Sequence, residues 1–176
     1  MSGGGAGRPA VFLDRDGTLI EDAGYPSDPE AVRLVDGAVE ALAAFRRAGF
    51  ALVVVSNQSG IGRGFVTQEQ ADAVHRRFVE ELRARGVEPD DVRYCPHAPE
   101  DACACRKPAA GLLLDSAREL RIDLSRSFMV GDTEAEVGAG RAAGCRTVVM
   151  GNKGTDADYV AADWEEAVAQ VLNGRA

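Results

Sequence analysis

The chain has 176 residues, 45% of them hydrophobic and 27% charged, and no apolar run approaches the ~20 residues that a membrane span needs. A length of this kind fits one domain, which buries roughly two thirds of its unfolded surface and needs no covalent staple to make a core. With 20 basic residues against 28 acidic ones the formal net charge is -8, which repels nucleic acid and anionic membranes at long range and leaves any anionic ligand to be captured by local groups.

Residues 1–9, "MSGGGAGRP", contain no apolar h-region and no cleavage-type signature, so they read as a flexible tail before a single domain spanning 10–176 in a cytoplasmic protein. "PAVFLD" (9–14) is a short run of strand formers that halts at acidic residues and Gly17. The loop 15–35 that follows is too long to be a mere connection in a compact domain, and such loops are usually functional. "DGAVEALAAFRRAG" has apolar residues at helical spacing, with Asp36 as the expected N-cap and Gly49 as the stop, and "FALVVVSN" is the next strand.

Thr67 and Gln70 make a capping-box pattern ahead of a helix whose Ala71, Val74, Phe78 and Leu82 share one face, and Gly86 closes it. "DVRYC" reads as a strand, "PAAGLLLDSARELR" as a helix with Pro108 near its first turn, "SFMVGD" as a strand, "EAEVGAGRAAG" as a helix and "RTVVM" as a strand. A last short strand and helix lie in "DYVAADWEEAVAQVL". This alternation predicts an α/β fold: a doubly wound, mostly parallel, Rossmann-like sheet with helices on both faces, no large cap domain, and ligands beyond the C-terminal ends of the strands.

Three predicted strand ends carry polar chemistry. Asp14 and Asp16 stand two apart, so they project to the same side, either as a reacting pair of carboxylates or as a solvated acidic turn. Ser56 and the backbone N–H groups after it could cradle phosphate oxygens, and Asp132 at a third strand end could complete an oxygen site for Mg²⁺.

Cys95, His97, Cys103 and Cys105 supply three thiolates and an imidazole within one proline-rich, charged stretch. That is the ligand set of a closed structural Zn²⁺ site, with no position left for a catalytic water. The last ligand adjoins Arg106 and Lys107, so the ion would pin a loop that aims two cations at phosphate. Cys145 reads as a small buried thiol, His75 as a boundary residue, and "GIGRG" lacks the spacing of a dinucleotide fingerprint.

"DRDGT", "SNQSG", "RKP" and "GDTEAE", in this order across residues 14–136, resemble the four motifs of the haloacid dehalogenase-like phosphatases. The resemblance implies that Asp14 is the nucleophile and Asp16 the general acid and base. It makes Ser56 and Lys107 phosphate stabilisers, and Asp132 a Mg²⁺ ligand beside Asp14 and the Asp16 backbone carbonyl.

The cysteine loop before "CRKP" extends the resemblance to the branch of heptose-bisphosphate and histidinol-phosphate phosphatases. "SNQSGIGRG" favours removal of the C7 phosphate of D-glycero-D-manno-heptose 1,7-bisphosphate over histidinol phosphate. A catalytically silent, zinc-stabilised phosphosugar-binding module is the remaining alternative. The resemblance further implies substrate contacts from Asp22, Ala23, Gly24 and Tyr25, from Ser56, Asn57, Gln58 and Ser59, and from Arg106 and Lys107. Arg63, nearby in the sequence, either helps to hold the distal phosphate or is a solvated loop arginine. Mg²⁺ and Zn²⁺ are the expected cofactors, a small phosphorylated sugar the expected partner, and a monomer the expected state, without nucleic acid or membrane. Ser56, Thr133 and Glu136 depart from a usual threonine, lysine and aspartate: Ser56 keeps the hydroxyl, Thr133 brings no cation, and Glu136 keeps the charge on a longer stem.

Overall fold

The computed structural model describes residues 7–151 and 155–175. Most of the expected tail, residues 1–6, lies outside the described residues, but the chain is already tied at Arg8. Its carbonyl accepts from Asp123 N–H, and its guanidinium reaches Asp90 at 2.6 Å.

Six strands form one sheet: β1 (Ala10–Leu13), β2 (Ala51–Asn57), β3 (Asp91–Cys95), β4 (Phe128–Gly131), β5 (Arg146–Met150) and β6 (Tyr159–Ala161). All neighbours pair in parallel, in the order β3-β2-β1-β4-β5-β6. The chain therefore starts mid-sheet, winds outward through β2 and β3, and returns to the other side of β1 through β4. The crevice beyond β1 and β4 is the topological switch point, where open α/β sheets bind ligands.

The strands alternate their side chains between two cores. Val11 and Leu13 face α1 (Ala38–Arg47), α3 (Gln68–Ala84) and α6 (Trp164–Asn173), with Phe45, Phe78 and Trp164 buried among them. Ala10 and Phe12 face α4 (Gly111–Leu120) and α5 (Glu134–Ala143), with Leu113, Met129 and Cys145. Both cores end at the strands' C-terminal edge, so polar side chains there are held on a rigid base. The expected capping box stands at Thr67 and Gln70, Gly49 and Gly86 take positive φ after their helices, and Cys145 is buried.

Two expected helix starts are corrected. Asp36 does not cap α1: Gly37 does, at φ 82° and with no side-chain hydrogen bond, and a Cβ there would stand 3.3 Å from Trp164 Cβ. Pro108 is not in the first turn of α4, which begins at Gly111. The residues before it fold back over the cysteine loop, Ala109 N–H donating to Arg106 O and Gly111 N–H to Ala104 O.

The 15–35 loop is anchored at both ends rather than free. Gly17 N–H donates to Ile20 O, Glu21 N–H to Arg33 O and Val35 N–H to Leu19 O, and Leu19, Ile20 and Val32 are buried. Residues 21–25 between these anchors are exposed.

Candidate active site

Asp14 follows β1 and Asp132 follows β4. Leu13 is in register with Val130, so the two carboxylates leave the sheet side by side at the switch point. Glu136, from the first turn of α5, joins them, and one oxygen from each of the three lies within 4.8 Å of the others. Two glycines make this approach possible. A Cβ on Gly17, at φ 82°, would stand 2.8 Å from Asp132 Oδ2, and one on Gly131 would stand 2.1 Å from Glu136 Cγ.

Lys107 enters this cluster from the arm that follows β3. Its Nζ lies 2.6 Å from Asp14 Oδ1, 2.8 Å from Glu136 Oε1 and 2.9 Å from Val55 O, with the side chain buried. One ammonium cannot neutralise two carboxylates in a low-dielectric site. Burial pushes Asp14 up to about 7 despite the pull of Lys107, and the Glu136 charge adds to the rise. Burial also works against the Glu136 carboxylate, but Lys107 and the Thr133 donors outweigh it and hold that acid below its usual range. Lys107 stays above its ordinary value although burial opposes its charge, because Asp14 and Glu136 face it.

Thr133 and Glu136 complete a capping box at the start of α5. Thr133 N and Oγ1 donate to Glu136 Oε2 at 2.9 and 2.6 Å, leaving Oε1 to Lys107. The two departures from the family pattern thus act as one unit, and the T-x-x-E signature in "DTEAE" is the sequence signal for it. With both Glu136 oxygens engaged, Asp14 and Asp132 are the carboxylates placed to hold a cation. Two oxygen-bearing acids beside a third that Lys107 and Thr133 already engage fit a hard divalent ion such as Mg²⁺.

The Asp16 side chain is not in this cluster. Arg15, itself 2% exposed, donates to both its oxygens at 3.1 Å, and Gln58 Nε2 bonds both Asp16 Oδ2 and, at 3.1 Å, Ser56 Oγ. Gln58 therefore links the expected acid–base residue to the expected phosphate-side hydroxyl. Arg15 was not among the expected site residues, although its place between the two aspartates of "DRDGT" marks it.

The expected substrate loops converge. Gly24, Tyr25, Asn57, Gln58 and Ser59 line a single small cavity of about 30 Å³. Asp22 Oδ1 accepts Gly24 N–H at 2.8 Å, shaping an exposed turn that also carries Ala23. Tyr25 is 45% exposed and meets Phe65, 63% exposed, edge to face with ring centroids 5.0 Å apart. Phe65 was not foreseen, and an aromatic after the Gly64 turn carries no motif. Arg63 caps the short helix α2 (Ser59–Gly62) and is exposed. Arg106 Nη1 is buried without a hydrogen-bond partner, a donor that the protein itself leaves unsatisfied. Asn57 turns to the protein: Nδ2 donates to Lys107 O and Oδ1 accepts Lys107 N–H, both at 3.0 Å.

In the cysteine loop the four donors meet. Sulfur pairs stand 3.0–3.5 Å apart, and His97 Nδ1 lies 3.4 Å from Cys95 Sγ and 3.2 Å from Cys105 Sγ. Tetrahedral Zn²⁺ would hold sulfur pairs about 3.8 Å and sulfur–nitrogen pairs about 3.6 Å apart, so the four donors stand up to about 0.8 Å closer than the ion would set them, and it is their type and convergence that fit it. Burial holds the Cys95 thiol at about 12, so the three sulfurs cannot all be thiolates without a cation among them. His75 is half-buried with its ring against Tyr94, as a boundary residue.

A family model described as HAD-hydrolase-like matches residues 104–174. The D-glycero-beta-D-manno-heptose-1,7-bisphosphate 7-phosphatase of Photorhabdus laumondii is 40% identical over 97% of this chain and 93% of its own. The enzyme of that name from Escherichia coli K12 is 40% identical over 89% of this chain and 87% of its own. The chain belongs to the haloacid dehalogenase-like phosphatases. It is a phosphoric monoester hydrolase. Among solved structures, the D,D-heptose 1,7-bisphosphate phosphatase of B. bronchiseptica complexed with magnesium and phosphate superposes with a TM-score of 0.84. It is 29% identical, with 94% of this chain and 98% of the other covered. Among the described residues no helix is long and apolar enough to cross a membrane.

Proposed function

We propose that this phosphatase removes the C7 phosphate of D-glycero-D-manno-heptose 1,7-bisphosphate, using Mg²⁺ at Asp14 and Asp132 and carrying Zn²⁺ on Cys95, His97, Cys103 and Cys105. The observation that carries the reading is the meeting of Asp14, Asp132 and Lys107 at the switch point of the sheet. The substrate comes from the relatives' names, and the residues fit it. The exposed Tyr25–Phe65 pair offers an apolar flank for a sugar's C–H face, and the unpartnered Arg106 donor suits a second phosphate or hydroxyl. Residues 10–176 would act as one catalytic unit, and reduced thiols fit a cytoplasmic setting.

In this reading an Asp14 oxygen attacks phosphorus, forming an acyl phosphate as the bond from phosphorus to the C7 oxygen breaks. Asp16 gives that oxygen its proton, then takes one from the water that attacks the acyl phosphate, releasing phosphate and restoring Asp14. Ser56 and Lys107 donate to the phosphoryl oxygens throughout. Mg²⁺, when bound, would keep Asp14 ionised and offset phosphoryl charge.

The test is a substrate panel with the β and α anomers of heptose 1,7-bisphosphate and histidinol phosphate. The expected result is one phosphate released per bisphosphate, leaving the C1 phosphate in place. A higher kcat/KM on histidinol phosphate than on either anomer would overturn the substrate assignment.

A further inference from the structure

Lys107 is followed by Pro108 and is buried, so its own N–H and carbonyl need partners within the protein. The carboxamide of Asn57 answers both: Nδ2 donates to Lys107 O and Oδ1 accepts Lys107 N–H, each at 3.0 Å, across 50 residues of sequence. Only a primary amide offers a donor and an acceptor so close together, since aspartate cannot donate and serine cannot span both groups. Asn57 is also the last residue of β2, in ladder register with Cys95, and the next N–H, that of Gln58, donates to Cys95 O at 2.7 Å. One residue therefore holds the 95–107 arm at both roots: its start through the β2–β3 ladder and its end through the side chain. The lysine so gripped reaches Val55 O, on the same strand two residues back, and from there Asp14 and Glu136.

We propose that Asn57 is a positioning residue that fixes the backbone of Lys107 so that its ammonium meets the reacting phosphoryl group, rather than a substrate contact. Its two polar atoms are already committed to the protein. The zinc-ligand cluster orders the arm's outer part, while Asn57 sets where the arm's last residue re-enters the sheet edge. The proposal rests on the assignment of Lys107 as phosphate stabiliser but is indifferent to the sugar, so it applies to any phosphomonoester the enzyme turns over.

The experiment is a double-mutant cycle of Asn57→Ala and Lys107→Ala, read by single-turnover kinetics on heptose 1,7-bisphosphate and on p-nitrophenyl phosphate. Asn57→Ala is expected to lower kcat by about ten- to a hundredfold, the scale of an ångström-sized misplacement, with KM within about threefold. In the Lys107→Ala background it is expected to have no further effect on kcat, although the melting temperature still falls. Asn57→Asp keeps the acceptor and loses the donor, so it should fall between, and it substitutes for the alanine variant should that fail to fold. An unchanged kcat would overturn the proposal. So would a raised KM with a loss that persists undiminished without the lysine side chain, because Asn57 would then act on substrate directly. Full activity in Lys107→Ala alone would instead refute the parent assignment, so the two failures are distinguishable.

Discussion

At the scale of single residues, Lys107 is the point on which charge balance turns. Its ammonium lies between two buried carboxylates, Asp14 and Glu136, and removing one partner of such a group strands the others in low dielectric. Lys107→Met should therefore lower kcat by about 10²–10³, as the loss of a donor to the transition state does. It should also destabilise the fold by about 3–5 kcal/mol, seen as a fall in melting temperature of about 6–20 °C. Thermal unfolding beside kinetics checks both, and an unchanged melting temperature would show that the lysine is not the counter-charge described. Asp14, Asp132 and Lys107 were legible in the sequence because each lies within a recognisable motif. Three other roles were not assigned: Arg15 on Asp16, Glu136 paired to Thr133, and Asn57 on the Lys107 backbone. The T-x-x-E spacing and the place of Arg15 between two aspartates signal the first two contacts, but nothing in the spacing marks Asn57, whose role depends on which of its atoms the folded arm engages.

At the scale of elements, the arm from Cys95 to Lys107 is fixed at its roots by β2 and in its outer part by the cysteine–histidine cluster. Stripping zinc with a chelator is expected to loosen the outer part, misplace Arg106 and Lys107, and lower kcat by up to about a hundredfold. The sheet's circular-dichroism signal should persist, because the larger core does not involve the arm. Metal analysis and restoration of activity by added Zn²⁺ check this, and full activity in the stripped protein would contradict it. Strand and helix identities were readable from periodicity and capping, as with Thr67 and Gln70. At both misread starts, Asp36 and Pro108, the backbone lies against tertiary neighbours that the local motif does not reveal, Trp164 in one case and the folded-back cysteine loop in the other.

At the scale of the molecule, alternating strands and helices foretold a parallel sheet with two covered faces, but not the order in which the strands lie. That order is what brings residues 14 and 132 together, since β1 and β4 are distant in sequence and adjacent in space. An overall charge of -8 also makes an anionic substrate unwelcome at long range, so in the proposed reading its capture falls to Lys107, Arg106 and a bound divalent ion at short range. The most direct test of this arrangement is phosphate release from heptose 1,7-bisphosphate, measured against Mg²⁺ concentration for the unaltered enzyme and for Asp14→Asn. Release that requires Mg²⁺ and vanishes in the folded Asp14→Asn variant is the predicted result, whereas hydrolysis that survives this substitution would contradict a nucleophile at the β1 edge.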